Sequence, residues 1–407
     1  MKYFALTKLG RSSWWSWIIG TWIAMIIWIL AQTVLMGIVG SVTEVLDPDL
    51  ADRIARAESA MIPEENIGSF AIYLLFSLLA ALASIGFSIA TIISSNNDLT
   101  KAPNISAFGG DVHPASDKSN TQVLAILAVI SICVSIFTYM TASSSLDDSE
   151  VMTNMMSAMG LSPITYVLFL LTFPAGCLGL FFVQKIVHQR PITPLFTAAK
   201  SINWARILEG FIITVLILGG FTLIGSKLGL FEVRNIFDSS VFWGFAITSL
   251  LLIPLQSGTE EIVFRGYFNQ GLMHFVNNKW VVFIITSVAF MALHLSNPEA
   301  IEGAKAGNLP IVMSGYFFFG FAMCLLVWFD DGLETAIGVH AGNNCFAAIF
   351  VNYEGSVLPT PSAYIVTPDA TKDSISTIIV LAIIVAFFWW RRGAPSRSSG
   401  KPSTGAA

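Results

Sequence analysis

The chain has little charge, little cysteine and no basic excess. Of its 407 residues only 12% are Asp, Glu, Lys or Arg, whereas 55% are apolar. Soluble domains carry about a quarter charged residues, so a soluble globular enzyme and a disordered chain are both excluded. The net charge is −5. No basic face is on offer to phosphates, and nucleic acid is not a partner. The four cysteines, Cys133, Cys177, Cys324 and Cys345, sit in apolar runs and form no C-x-x-C. They read as small core residues, with neither a disulfide framework nor a thiolate metal site. H-E-x-x-H is absent, and the terminal S-T-G-A-A is no C-a-a-X box, so the chain is not expected to be prenylated itself.

What is abundant is long apolar runs. The mean hydropathy is +0.72, and one span takes roughly 20 apolar residues. The expected fold is all-α: a polytopic helical membrane protein with about ten transmembrane helices. They are read at 14–40, 69–94, 121–143, 162–184, 207–224, 240–256, 280–296, 311–329, 334–352 and 374–390. The first run is too long for a signal peptide and reads as a retained span. Its tryptophans, Trp14, Trp15, Trp17, Trp22 and Trp28, suit an interfacial belt and lipid packing.

Counting Lys and Arg by loop gives orientation. With the N-terminus inside, 15 fall on inside segments and six outside. That bias places both termini in the cytoplasm. The expected location is a multi-pass position in the lipid bilayer of a prokaryotic plasma membrane.

The polar stretch HQRPITPLFTAAK divides the chain near residue 195. Residues 1–195 form a four-span region with almost no intramembrane charge and no assignable role. Residues 196–392 carry nearly all of that charge in a helical bundle. Residues 393–407 are low in complexity and read as a disordered cytoplasmic tail. His113, His188 and His274 fall in loops or at helix ends and read as solvated. Asp330-Asp331-Gly332 reads as a turn.

Ionisable residues at membrane depth are costly and mark function. Three clusters stand out. In SGTEEIVFRGYF, Glu261 and Arg265 are four apart, share a helix face and can pair. Glu260 is rotated by about 100° and stays free of that pair. It is then a carboxylate able to act as general acid or base. In FMALHL, His294 follows Phe290 by one turn near the end of an apolar run. In GVHAGNNCF, His340 and Asn344 share a helix face, and Ala341 and Gly342 admit close approach of another helix or a substrate. Singly, these are also a solvated helix end, a core histidine and interhelical hydrogen-bonding glue. Together they place a carboxylate, two imidazoles and an amide on three helices within 85 residues. Convergence on one buried site is the economical reading.

These motifs, E-E-x-x-x-R, F-x-x-x-H and H-x-x-x-N in that order, resemble the CPBP family. It comprises type II CAAX prenyl proteases and bacteriocin-processing enzymes, and is also called Abi. The resemblance covers roughly 240–352; Gly266 after the arginine also fits. It implies an intramembrane endopeptidase acting on a membrane protein or peptide. In that reading Glu260 and His294 activate water, and His340 and Asn344 stabilise the oxyanion. Glu261, Arg265 and Phe290 support the site. The resemblance leaves two chemistries open. One is a metal-free glutamate protease, which is favoured. The other is a zinc enzyme, in which Glu260, His294 and His340 are the ligands. The sequence names neither a substrate nor an oligomeric state, and prenylated tails are not the favoured substrate. Two other classes compete. One is a catalytically silent membrane scaffold or immunity-type binding protein with the same polar core. The other is a transporter using Glu260 as an ion site, which the unlike halves of the chain disfavour.

One geometric difficulty accompanies this reading. A span starting near 240 carries Glu260 about 30 Å along its axis, close to the cytoplasmic surface. His294, about 21 Å up from residue 280, lies toward the far side. A kink at Pro254, or one long tilted helix over 240–272, is needed for the two to meet.

Overall fold

The computed structural model describes residues 2–46 and 163–392, Asn277 and Ser296 excepted. The runs read as spans at 69–94 and 121–143, His113, Cys133 and the tail 393–407 lie outside the described residues. The described residues therefore do not test the expected number of about ten spans.

The described chain is a bundle of helices. A short turn, Lys2–Ala5, precedes α1, Trp14–Leu46. Then come α2, Pro163–Phe182, and α3, Trp204–Lys227. The long helix α4, Ser239–Glu261, runs on through a π-helical segment, Ile262–Phe268, and a last stretch, Asn269–Phe275. After it come α5, Lys279–Ala292, α6, Pro298–Lys305, and α7, Leu309–Asp330. The last helices are α8, Glu334–Cys345, extended by Phe346–Phe350, and α9, Ala370–Arg392.

Polar side chains start these helices where the first amides lack partners. Asn203 accepts from the Arg206 amide at the head of α3, Asp238 from Ser240 at α4, and Asn278 from Trp280 at α5. Pro298 and Pro310 sit in the first turns of α6 and α7, where a missing amide hydrogen costs nothing. Asp331 ends α7 in the left-handed region, with φ 53°.

Five helical stretches among the described residues are long and apolar enough to cross a bilayer: Tyr166–Val187, α3, Ser239–Phe275, α7 and α9. Along α3, Trp204, Leu208, Ile212 and Leu216 are exposed at four-residue spacing. Such an apolar stripe is stable only against lipid or another chain. The chain is an integral membrane protein.

Two readings of the sequence change here. The stretch 334–352 is not a long apolar span. It is the 12-residue α8 with a five-residue extension, buried against α3 and α4. The sixth span does not end at 256. The helix continues unbroken from Ser239 to Phe275 with Pro254 inside it, so the long-helix solution holds.

Helix α8 lies close on α3 because glycines face the contact. A Cβ on Gly342 would sit 2.8 Å from the Phe211 carbonyl oxygen, and one on Gly338 would meet that of Ile207. The expectation that Gly342 admits a neighbouring helix is met, and the neighbour is α3. Helix α7 packs between α5 and α9, and α2 packs against both α1 and α4.

The sequence did not announce a small three-stranded sheet. Its order is β1 (Val233–Asn235), β3 (Tyr364–Val366), β2 (Val351–Tyr353). β3 pairs antiparallel with β1, Arg234 opposite Ile365, and parallel with β2, Asn352 opposite Ile365.

The N-terminal segment is bound into the same core as the second half of the chain. Tyr3 donates to the Leu195 carbonyl at 2.6 Å, and Arg190 donates to Gln270 at 3.1 Å. His188 is buried, not solvated, with Nε2 3.0 Å from the Tyr267 hydroxyl and Nδ1 3.0 Å from the Arg11 carbonyl. Trp17 is also buried rather than interfacial. Its ring lies 4.3 Å from that of His188 and carries the Arg190 guanidinium at 4.8 Å. His274, by contrast, is exposed, as read from the sequence. Cys177, Cys324 and Cys345 are buried free thiols, as their apolar settings implied.

Candidate active site

The acidic pair sits where α4 passes into its π-helical segment. Glu261 and Arg265 do pair: Nη1 of Arg265 lies 3.1 Å from Oε1 of Glu261, and both side chains are fully buried. The second guanidinium nitrogen donates to the Gly320 carbonyl of α7 at 3.1 Å. The same Glu261 oxygen lies 2.7 Å from Nδ1 of His340 on α8. Glu261 therefore joins two helices rather than serving Arg265 alone. Its other oxygen has no hydrogen-bond partner among the described residues.

Glu260 points away from Arg265, as its rotation on the helix requires. Its Oε1 accepts from the Gln256 amide one turn earlier, and its Oε2 lies 3.8 Å from Nε2 of His340. The His340 ring is thus set between the two glutamates. Because Glu261 is charge-paired with Arg265, Nδ1 of His340 is the donor to it, and Nε2 faces Glu260.

Asn344, one turn beyond His340, is brought to the same place. Its amide donates to Oε1 of Gln256 at 3.3 Å and lies 3.4 Å from the Ser257 hydroxyl. Asn343 donates to its oxygen at 3.1 Å. Gln256 therefore donates to Glu260 and accepts from Asn344 and from Ser257, at 3.0 Å.

The second motif comes from α5. Nδ1 of His294 donates to the Phe290 carbonyl at 2.8 Å. The Phe290 ring lies 4.5 Å from the His294 ring, 6.2 Å from the His340 ring and 4.5 Å from the Arg265 guanidinium. Phe290 is the aromatic wall against which the three motifs meet. The long α4 and the end of α5 at Ala292 bring the motifs to one wall, but Glu260 and His294 are not in contact with each other among the described residues. Glu260 makes its closest imidazole contact with His340; His294 joins through Phe290.

Sequence reasoning missed Gln256, Ser257, Phe319 and Tyr316. Phe319 lies edge-on to His340 at 4.8 Å, and Tyr316 stacks on His294 at 4.3 Å. Gln256 carried a signal. It precedes Glu260 by four residues, the spacing that located Arg265. Phe319 and Tyr316 lie in an aromatic run of α7 with no local cue.

Glu260, His294 and His340 were the candidate zinc ligands. Among the described residues no three His, Cys, Asp or Glu side chains gather as a metal-binding group, this set included. No step is therefore routed through a metal.

The arrangement offers a carboxylate beside an oriented imidazole, with an amide donor one helix turn away. Those are the groups that water activation and oxyanion binding require. Comparison with known proteins agrees with the motif resemblance. Residues 239–346 match the Rce1-like family, described as type II CAAX prenyl endopeptidases. All three motifs lie inside the matched stretch. The chain is 27% identical over 242 residues to the uncharacterized protein YyaK of Bacillus subtilis (strain 168), covering 58% of this chain and 78% of that one. No solved structure matches.

Proposed function

With residues 239–346 matching the Rce1-like, type II CAAX prenyl endopeptidase family, we propose that this protein is an intramembrane endopeptidase. It hydrolyses a peptide bond in a membrane-associated protein or peptide. The observation that carries the reading is the linkage of Glu260, Glu261, His340 and Asn344 across α4 and α8, with Gln256 as the bridge.

In this mechanism Glu260, assisted by His294, takes a proton from water. The water oxygen adds to the scissile carbonyl carbon. The resulting oxyanion is held by Nε2–H of a protonated His340 and by the Asn344 amide. Glu261 stabilises that imidazolium through Nδ1, and Arg265 keeps Glu261 in place. Collapse of the tetrahedral carbon breaks the C–N bond, and the proton held by Glu260 goes to the departing amine. The Asn344 contacts to Gln256 and Ser257, at 3.3 and 3.4 Å, are long and readily exchanged for an oxyanion. The reading is metal-free. We place it in a prokaryotic plasma membrane, with both termini inside on the strength of the 15-to-six Lys and Arg bias.

The test is hydrolysis by the full chain in nanodiscs. Two internally quenched peptides serve as probes, one a farnesylated C-a-a-X peptide and one an unprenylated membrane-spanning peptide. Products are identified by mass spectrometry. Cleavage of either that is lost in E260Q supports the proposal. A wild type that cleaves neither of these nor the segments of co-reconstituted membrane proteins favours the silent scaffold.

A further inference from the structure

His294 lies in the turn just after α5, which ends at Ala292. Besides the Phe290 ring at 4.5 Å, two contacts hold it. Nδ1 donates to the Phe290 carbonyl at 2.8 Å. A carbonyl accepts only, so Nδ1 carries the proton and Nε2 is the acceptor. The second contact is the Tyr316 ring of α7, stacked at 4.3 Å with an interplanar angle of 29°.

Tyr316 is itself tethered. Its hydroxyl donates to Oε1 of Glu299, at the head of α6, and accepts from the Asn297 amide at 2.9 Å. The Tyr353 hydroxyl donates to the same Glu299 oxygen at 3.0 Å, and the Asn297 amide lies 3.4 Å from it. Tyr353 belongs to β2, which continues directly from α8, the helix of His340 and Asn344. One carboxylate thus ties the tyrosine on His294 to the strand that follows the other half of the site. Nothing in the proposed hydrolysis uses Glu299, Tyr316 or Tyr353.

We propose that Tyr316, tethered by Glu299, is a positioning residue for His294. Its ring restricts rotation of the imidazole, so that Nδ1 stays on the Phe290 carbonyl and Nε2 stays the acceptor. The inference rests on the role proposed above for His294. A carboxylate accepting several donors is a strong anchor, and it fixes the Tyr316 ring where packing alone would let it rock. A purely structural cluster would tie α6, α7 and β2 together without governing the imidazole. The two roles differ in what they do to the His294 ring.

The experiment uses the full chain in nanodiscs with 15N-labelled histidine. H294N assigns the ring signals among the five histidines. Wild type should show the Nδ1–H tautomer at His294. E299Q and Y316F should keep the thermal midpoint, yet move His294 toward the Nε2–H tautomer or split its signals. Y316L, which removes the ring, should do so more strongly. In the same variants kcat on the quenched peptides should fall about tenfold or more with KM unchanged, as small misplacements of a reacting group do. Should Y316L fail to fold, E299Q, which keeps the side-chain shape, decides. Nitrogen signals identical to wild type in the folded variants overturn the proposal, whatever the turnover. If H294N cleaves like wild type while those signals shift as expected, the hydrolytic role of His294 fails and the positioning stands.

Discussion

Oε1 of Glu261 lies 2.7 Å from Nδ1 of His340, across 79 residues of sequence. The same oxygen meets Arg265 at 3.1 Å. A glutamate that looked like half of a local ion pair is therefore also the residue that orients an imidazole on another helix. The guanidinium holds it in place, and the imidazole inherits a fixed direction toward Glu260. This division of labour separates the expected effects of neighbouring mutations.

Arg265→Ala should damage the fold as well as activity. It leaves Glu261 fully buried with no guanidinium beside it. Removing one partner of a buried pair costs roughly 3–5 kcal/mol. Reversible unfolding in mixed detergent should show a loss of that size, and Arg265→Lys should restore little, since one ammonium cannot reach both Glu261 and the Gly320 carbonyl. Wild-type stability in Arg265→Ala would show that the pair does not hold α4 to α7.

Gln256 should matter to turnover more than to folding. It donates to Glu260 and accepts from Asn344, so it sets the spacing of the proposed base and the proposed oxyanion donor. Gln256→Leu should lower kcat by about 10- to 100-fold, the range expected when reacting groups lose alignment. The thermal midpoint should stay near that of wild type. Full turnover in Gln256→Leu would remove Gln256 from the account.

At the far end of the bundle, Asp330 gathers the ends of three helices. Arg392 reaches it at 2.9 Å from the end of α9, and Arg206 at 3.5 Å from α3. Arg392 also meets Glu209 at 2.7 Å. Asp330→Asn should cost about 3 kcal/mol, because two arginines lose a buried counter-charge. Thermal unfolding of the reconstituted variant checks this; an unchanged midpoint would make the cluster dispensable.

His188 lies one residue beyond the Tyr166–Val187 stretch. Burial lowers its pKa from the ordinary 6.5 to about 4. The folded state therefore holds it neutral while the unfolded state takes up a proton below pH 6.5. Its contribution to stability is intact above that pH and is lost as pH falls toward 4. Unfolding measured from pH 7.5 to about 4 should show wild type losing stability through this window. His188→Gln, less stable at neutral pH, should lose less. Parallel curves would contradict the assignment.

Much of the fold was legible because lipid demands long apolar helices. The reading of 207–224 lies inside Trp204–Lys227, and that of 311–329 inside Leu309–Asp330. Errors arose where polar residues are satisfied by partners far away in sequence. Gln256 and Ser257 looked like the end of a span, but Asn344 answers them and the helix runs on to Phe275. His188 looked solvated beside Gln189 and Arg190, but Tyr267 and the Arg11 carbonyl take up its ring nitrogens. The strands are three residues each, too short for a period-two pattern to emerge. The three motifs located the candidate site because charge at membrane depth is rare. Tyr316 and Glu299 left no trace, since their link to His294 exists only in the folded bundle.

The most direct test of the central claim is Glu260→Gln in nanodiscs, assayed for peptide hydrolysis beside its thermal midpoint. The substitution keeps the side-chain shape and removes the proposed base. The account predicts a folded protein with the wild-type midpoint and no product. Wild-type turnover in Glu260→Gln would contradict it.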